Sequence, residues 1–385
     1  MLLSILYLAL FIYVGLLLAR RAVPDGSAAV ILPLGCGFGV SLLAALPAVL
    51  ALALGFTLPA VLLAAAAAGV LGGVLLRRGV RLRGMAKDAD CGALWACILP
   101  VALITLYLLH THVLHMVNGA YHTGQSCYGD MPMHLGFIKY IAQSGEFLPC
   151  YPLLGGEHRF GYPFLCETVS SVFLVLGADL RTAYLLPMLP AFLSVYGMFW
   201  QLARRMTGSA AKASLAFYLF FMGSGFGFVY FLGSAEKFAG IFTGFYTTPT
   251  NFVEQNIEWV NPIVDLLIPQ RATLFGWCVL FPAVYLLWRF CYEGKRRLWP
   301  CWRCPCRFCT PTVRWRWCFC ALWAAYTLWR RVHGGRRFCP GWGWRRCAAR
   351  RGWRRCCPPC WPKAWTVSTC CGCTSTGSTA RTTAR

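Results

Sequence analysis

Apolar residues along this chain come in long, uninterrupted runs, and most of the runs end on arginine. Residues 2–19 are apolar and stop at Arg20 and Arg21. Residues 28–56 and 58–76 form two more runs, joined by a Gly-Phe-Thr-Leu-Pro turn, and the second closes on Arg77, Arg78, Arg81, Arg83 and Lys87. Further runs cover residues 92–114, 181–202, 213–232 and 272–288. The 181–202 run ends at Arg204, Arg205 and Lys212, and the last at Arg289, Lys295 and Arg296. About 20 apolar residues suffice for a helix to cross a bilayer. The pattern therefore predicts an all-α, polytopic membrane protein with about seven spans. Residues 2–19 lack the basic start and small-residue cleavage site of a secretory signal, so they are expected to be a retained span. Residues 162–178 are apolar but short. They are expected at the outer interface or as a re-entrant piece, with Glu167 facing water or protein.

Positive charge on the connecting segments orients these spans. The basic groups at 20–21, 77–87, 204–205 and 289–296 all fall on the cytoplasmic side if the N-terminus is outside. The two polar segments, 115–161 and 233–270, then become outer loops. The expected setting is a lipid bilayer, with the chain as a multi-pass protein of a bacterial inner or plasma membrane.

The formal charge of +23 is not a nucleic-acid footprint of the whole chain, because nearly all of it comes from the tail. Residues 1–295 carry 17 Lys and Arg against 13 Asp and Glu, whereas residues 296–385 carry 19 basic residues and no acid. The last acidic residue is Glu293, and 14 of the 22 Cys and 11 of the 16 Trp follow it. Back-translating residues 304–319 and shifting the reading frame permits a run of Leu, Ala and Val carrying a His-Thr-His. The favoured expectation is an out-of-frame, disordered tail that replaces further spans of a membrane protein truncated in this chain. Two other readings compete: a zinc module, and an Arg/Trp tail that binds nucleic acid or lipid. Cys301, Cys304, Cys306 and Cys309, with Cys356, Cys357 and Cys360, have the two-residue gaps of thiolate zinc sites. Their pairs, however, stand only one residue apart. The expected organisation is thus N-terminal spans over 1–91, a membrane core with both outer loops over 92–295, and the tail over 296–385. The eight Cys of the first part show no disulfide or metal spacing.

Candidate chemistry collects in the outer loops. Asp130 precedes a segment in which Leu135, Ile138, Ile141 and Ala142 recur at helical spacing, and Pro132 suits a first turn. Asp130 is therefore expected to cap a helix and to share a face with His134. The same carboxylate suits a general base, or a divalent-metal ligand together with His134. After the turn-rich stretch ending at Gly155 and Gly156 come His158, Arg159 and Tyr162, cationic and aromatic groups that suit a lipid-linked phosphate or a sugar but also plain interfacial anchoring. Cys127 and Cys150 are available for a disulfide if this side is oxidising. The second loop carries Glu254 and Glu258, four residues apart, and leads to Arg271 at the mouth of the last span, a candidate phosphate contact.

The order of these features resembles a known family. Tyr128-Gly129-Asp130 is followed by Tyr162-Pro163-Phe164-Leu165, by a short apolar segment ending Leu176-Gly177-Ala178, and by a span running from Arg181 to Arg204-Arg205-Met206-Thr207-Gly208. Over about residues 92–291 this is similar to the polytopic GT-C glycosyltransferases, which use polyprenyl-phosphate-linked sugars. The resemblance implies transfer of a sugar from such a donor to an acceptor at the outer face, with Asp130 matching the family's loop acid. The chain departs from the pattern in having one acid rather than an acidic pair, and three spans before the conserved core. A transporter or flippase is the alternative, although transporters usually keep ionisable groups at mid-membrane.

Overall fold

The computed structural model describes residues 1–124, 127, 129–147, 150, 161–223, 226–243, 256 and 260–293. The tail and its cysteine clusters lie outside the described residues. Among the described residues six helices are long and apolar enough to cross a membrane, and the chain is a polytopic α-helical membrane protein. They are α1 (Leu2–Ala22), α2 (Ala28–Leu54), α3 (Leu58–Arg77), α4 (Cys91–His112), the joined pair α7 (Leu180–Leu185) and α8 (Met188–Thr207), and α11 (Arg271–Tyr292). Between them lie α5 (Met131–Ser144), α6 (Leu165–Val175), α9 (Ala210–Phe221) and α10 (Ala235–Thr243).

Helix α2 is the hub, packing against α1, α3, α6, α8 and α11. Small residues permit this, because helices in lipid associate through close backbone approach. A methyl on Gly15 would sit 2.2 Å from the Gly35 carbonyl oxygen, and one on Gly39 would sit 2.8 Å from the Ile12 Cα. Gly37 faces the other way, where a Cβ would meet Ser194 Oγ at 2.7 Å and the Cys278 carbonyl at 2.8 Å. Gly197 of α8 receives Pro33 of α2.

The two ends of the bundle differ in chemistry. At one end the basic helix termini interlock with the few acids present. Arg204 pairs with Asp88 and Asp90, Arg205 with Glu293, and Arg289 with Asp25 at 2.7 Å. Ser27 donates to Asp88 at 3.0 Å, and Arg20 donates to the carbonyls of Gly26 and Gly84 at 3.3 and 3.1 Å. The opposite end gathers the loops: Phe56 N–H donates to the Gly145 carbonyl, and Arg181 donates to the His110 carbonyl at 2.9 Å. Each of the four basic clusters thus has a described member at the first end, and α5 adjoins the second.

The structure shortens the helix expected over 213–232. Helix α9 has only 12 residues, about 18 Å, too short for an apolar core of about 30 Å. Glycines at 223, 225 and 227 withdraw helix propensity where the run would have continued, and a 3-10 turn occupies Phe226–Phe231. The stopped helix is closed by Asn261, whose Nδ2 donates to the carbonyls of Phe221 and Gly223 at 3.2 and 3.1 Å. The same side chain accepts from Ile263 and Val264 N–H at 2.9 and 3.1 Å and so opens the π-turn Pro262–Leu267 before α11. One Asn thereby satisfies backbone groups that lipid could not.

The short apolar segment becomes α6, 11 residues or about 16 Å. It does not lie on the surface: residues 166–173 are all buried, against α2, α3, α5 and α11. Glu167 faces protein, one of the two environments expected for it. The first outer loop also holds a small antiparallel hairpin, β1 (His115–Val117) with β2 (Ala120–His122). Its turn residues, Asn118 at φ 51° and Gly119 at φ 80°, supply the left-handed backbone that a two-residue hairpin needs.

Candidate functional site

Helix α5 starts at Asp130, as its spacing predicts, and buries Met131, His134, Phe137, Ile138 and Ile141. The capping expectation fails in detail. Asp130 occupies the N-cap position, but its φ of −89° and ψ of −23° are helical and its side chain makes no cap hydrogen bond. A capping residue normally sits in the extended region, from which its oxygen reaches the second or third amide. Pro132, at the second helical position, has no amide to offer. The Asp130 carboxylate is therefore exposed rather than spent on the helix.

One turn further on, the Nδ1 of His134 meets Glu167 Oε1 at 2.7 Å. Both side chains are fully buried. Glu167 Oε2 accepts from Arg271 Nη1 at 2.7 Å, and Oε1 also accepts from the Cys166 thiol at 3.2 Å. The second arm of Arg271 donates to Ser170 Oγ at 2.6 Å and to the Tyr184 carbonyl at 3.4 Å. The guanidinium lies 4.2 Å from the centre of the Tyr184 ring and 5.3 Å from that of Phe275. Arginine suits such a place, because its planar fork bonds carboxylates and its face stacks on aromatics. Four helices, α5, α6, α7 and α11, are tied together at this buried point. Each comes from a different part of the sequence, so the cluster forms only in the folded chain.

Burial alone would push the Glu167 carboxyl up, but the Arg271 charge and the His134 hydrogen bond outweigh it and hold the group below its ordinary value. An ionised Glu167 accepts only, so Nδ1 of His134 carries a proton and donates to it. His134 Nε2, Tyr184 Oη and Arg271 Nε, all buried, make no hydrogen bond among the described residues. Burial pushes the Cys166 thiol well up, assisted by the Glu167 charge, so it remains a donor. The depressed carboxyl has a consequence for acid stability. Its stabilisation is fully present above the ordinary value of 4.5 and is lost as pH falls through the lower folded value. Thermal unfolding in detergent is therefore expected to show no loss from this group down to about pH 4.5. Below that, wild type should fall more steeply than a Glu167→Gln variant; parallel profiles would contradict the assignment.

Tyr162 extends the cluster towards the exposed end. Its ring packs edge-on to His134 at 6.0 Å, and burial, assisted by the charges of Glu167 and Asp130, pushes its hydroxyl up. Asp130, Tyr162, His134 and Arg271, singled out in the sequence, are thus brought into one neighbourhood. His158, Arg159, Glu254 and Glu258 lie outside the described residues. No disulfide joins Cys127 to Cys150. Among the described residues no group of three His, Cys, Asp or Glu is arranged to hold a metal ion.

Sequence reasoning named Glu167 without assigning it a role and passed over Cys166, Ser170 and Tyr184. A signal for Glu167 was present: a carboxylate in an apolar run needs a partner, and Arg271 opens another such run.

No family model matches this chain, and no curated protein or solved structure matches it. Inference about function therefore rests on the site itself.

Proposed function

We propose that this protein is a membrane glycosyltransferase that moves a sugar from a polyprenyl-phosphate carrier to an acceptor at the outer face. The observation that carries this reading is the exposed, uncapped Asp130 carboxylate on the first turn of a helix pinned from below by the His134–Glu167–Arg271 cluster. A general base must be both accessible and held in position. In the proposed step an acceptor hydroxyl gives its proton to Asp130 and its oxygen attacks the anomeric carbon of the sugar. The carbon–oxygen bond to phosphate breaks, and polyprenyl phosphate leaves with the electron pair. His158 and Arg159 are the proposed contacts of the departing phosphate, with Tyr162, Glu254 and Glu258 around the sugar and acceptor. Arg271 was expected to contact phosphate; with both terminal nitrogens engaged, it is better suited to positioning α5. A divalent ion would have to use Asp130 without the Nδ1 of His134, which Glu167 occupies.

A transporter is the second reading, favoured by the buried charged cluster and by the interruption after α9, features that transporters share. Proteoliposomes given a radiolabelled polyprenyl-phosphate sugar and a range of acceptors separate the two. The glycosyltransferase reading expects label to appear in acceptor without net uptake of sugar. Label accumulating inside the vesicles, with no acceptor modified, would instead support transport.

A further inference from the structure

The bundle end opposite Asp130 carries a second, independent feature. The end of α1 and the turn after it face the end of α3 and the segment that follows across an open cavity of about 270 Å³. It is lined by Arg20, Arg21, Pro24, Arg78, Arg81 and Arg83 together with backbone at Gly79 and Val80. No acid lines it. Positive charge near the cytoplasmic surface is ordinary for a membrane protein, but that tendency requires neither convergence on one concavity nor the absence of neutralisation.

The acids at this end are already engaged. Asp25 binds Arg289, Asp88 binds Ser27 and Arg204, Asp90 binds Arg204, and Glu293 binds Arg205. None of these pairs involves an arginine of the cavity. Arg20 is structural, its two terminal nitrogens fastening Gly26 to Gly84, so it fixes one wall against the other. Arg21, Arg78, Arg81 and Arg83 are exposed and make no ion pair among the described residues. Like charges crowded into a concave site repel one another unless an anion joins them, and a guanidinium fork matches phosphate oxygens in pairs. The volume lies below the range of about 300–1,000 Å³ typical of whole-ligand pockets, which suits a headgroup or a small anion.

We propose that this cavity binds a phosphate-bearing anion, a phosphomonoester or diphosphate group, at the cytoplasmic surface. The group can belong to a membrane lipid or to a soluble compound, since both present the same oxygens. This site does not depend on the sugar-transfer reading and lies at the other end of the bundle.

The test is hydrogen–deuterium exchange of the full chain in phosphatidylcholine nanodiscs, read over residues 20–27 and 78–84. One arm adds phosphatidic acid to the nanodisc and the other adds pyrophosphate to the solution. Reading these two segments keeps anion binding by the basic tail out of the measurement. At a ligand concentration about ten times its Kd, exchange through opening of the site should slow about tenfold. Slowing in the first arm alone identifies a lipid headgroup, slowing in the second alone a soluble anion, and slowing in both a site open to either. The slowing should be lost in Arg81→Gln/Arg83→Gln. It should persist in Lys212→Gln, which removes an exposed charge at the same end but outside the cavity. Melting temperatures matching wild type would show that both variants are folded. No slowing in either arm, or equal slowing in wild type and the Arg81/Arg83 variant, would overturn the proposal. So would a Lys212 variant as impaired as the double variant.

Discussion

Replacing Glu167 with Leu is expected to destabilise the protein by about 3–5 kcal/mol, the cost of leaving one partner of a buried ion pair uncompensated. Arg271 is fully buried and, among the described residues, makes its only charge-to-charge contact with Glu167. Without the carboxylate its positive charge would remain among Tyr184, Phe275 and Ser170, with a hydroxyl and a carbonyl but no anion. His134 would lose its Nδ1 acceptor in the same substitution. A Glu167→Leu/Arg271→Met double variant should be much closer to wild type, because removing both charges also removes their desolvation cost. Unfolding of wild type, Glu167→Leu, Arg271→Met and the double variant in one detergent gives the coupling directly. Additive losses, or a Glu167→Leu protein as stable as wild type, would show that the pair does not hold these helices together.

The legible part of this fold is the part written as repetition. Uniform apolar runs closed by arginines define the long helices, because length and hydropathy alone decide whether a helix suits a bilayer. The spacing from Leu135 to Ala142 marks α5 equally well, since helical periodicity is local. The helix expected over 213–232 stops early, where three alternate glycines interrupt an otherwise apolar run. Asn118-Gly119 marked the hairpin in the same local way and went unread within a long polar loop. The site was only half legible for a different reason. Asp130, His134 and Arg271 are conspicuous polar residues near the ends of apolar segments. Their grouping, however, depends on α6 being driven into the bundle beside α2, a long-range packing outcome that no window of sequence contains. The φ and ψ of Asp130, which turn it from a cap into an exposed carboxylate, are likewise set by the folded loop.

Asp130→Asn is expected to lower sugar transfer by about a hundred- to ten-thousand-fold, the usual contribution of general base catalysis. The substitution preserves size and removes the proton-accepting charge. Because Asp130 is exposed and makes no cap hydrogen bond, stability should change little, within about 0.5 kcal/mol. That pairing of a large loss in rate with an unchanged fold sets this variant apart from Glu167→Leu, whose effects on activity would follow from unfolding. The decisive measurement is the turnover of a polyprenyl-phosphate sugar by wild type and Asp130→Asn in the same proteoliposomes, with melting temperatures taken alongside. The proposed mechanism predicts transfer by wild type and a loss of at least about a hundredfold in the variant at equal stability; undiminished transfer by a folded Asp130→Asn protein would contradict it.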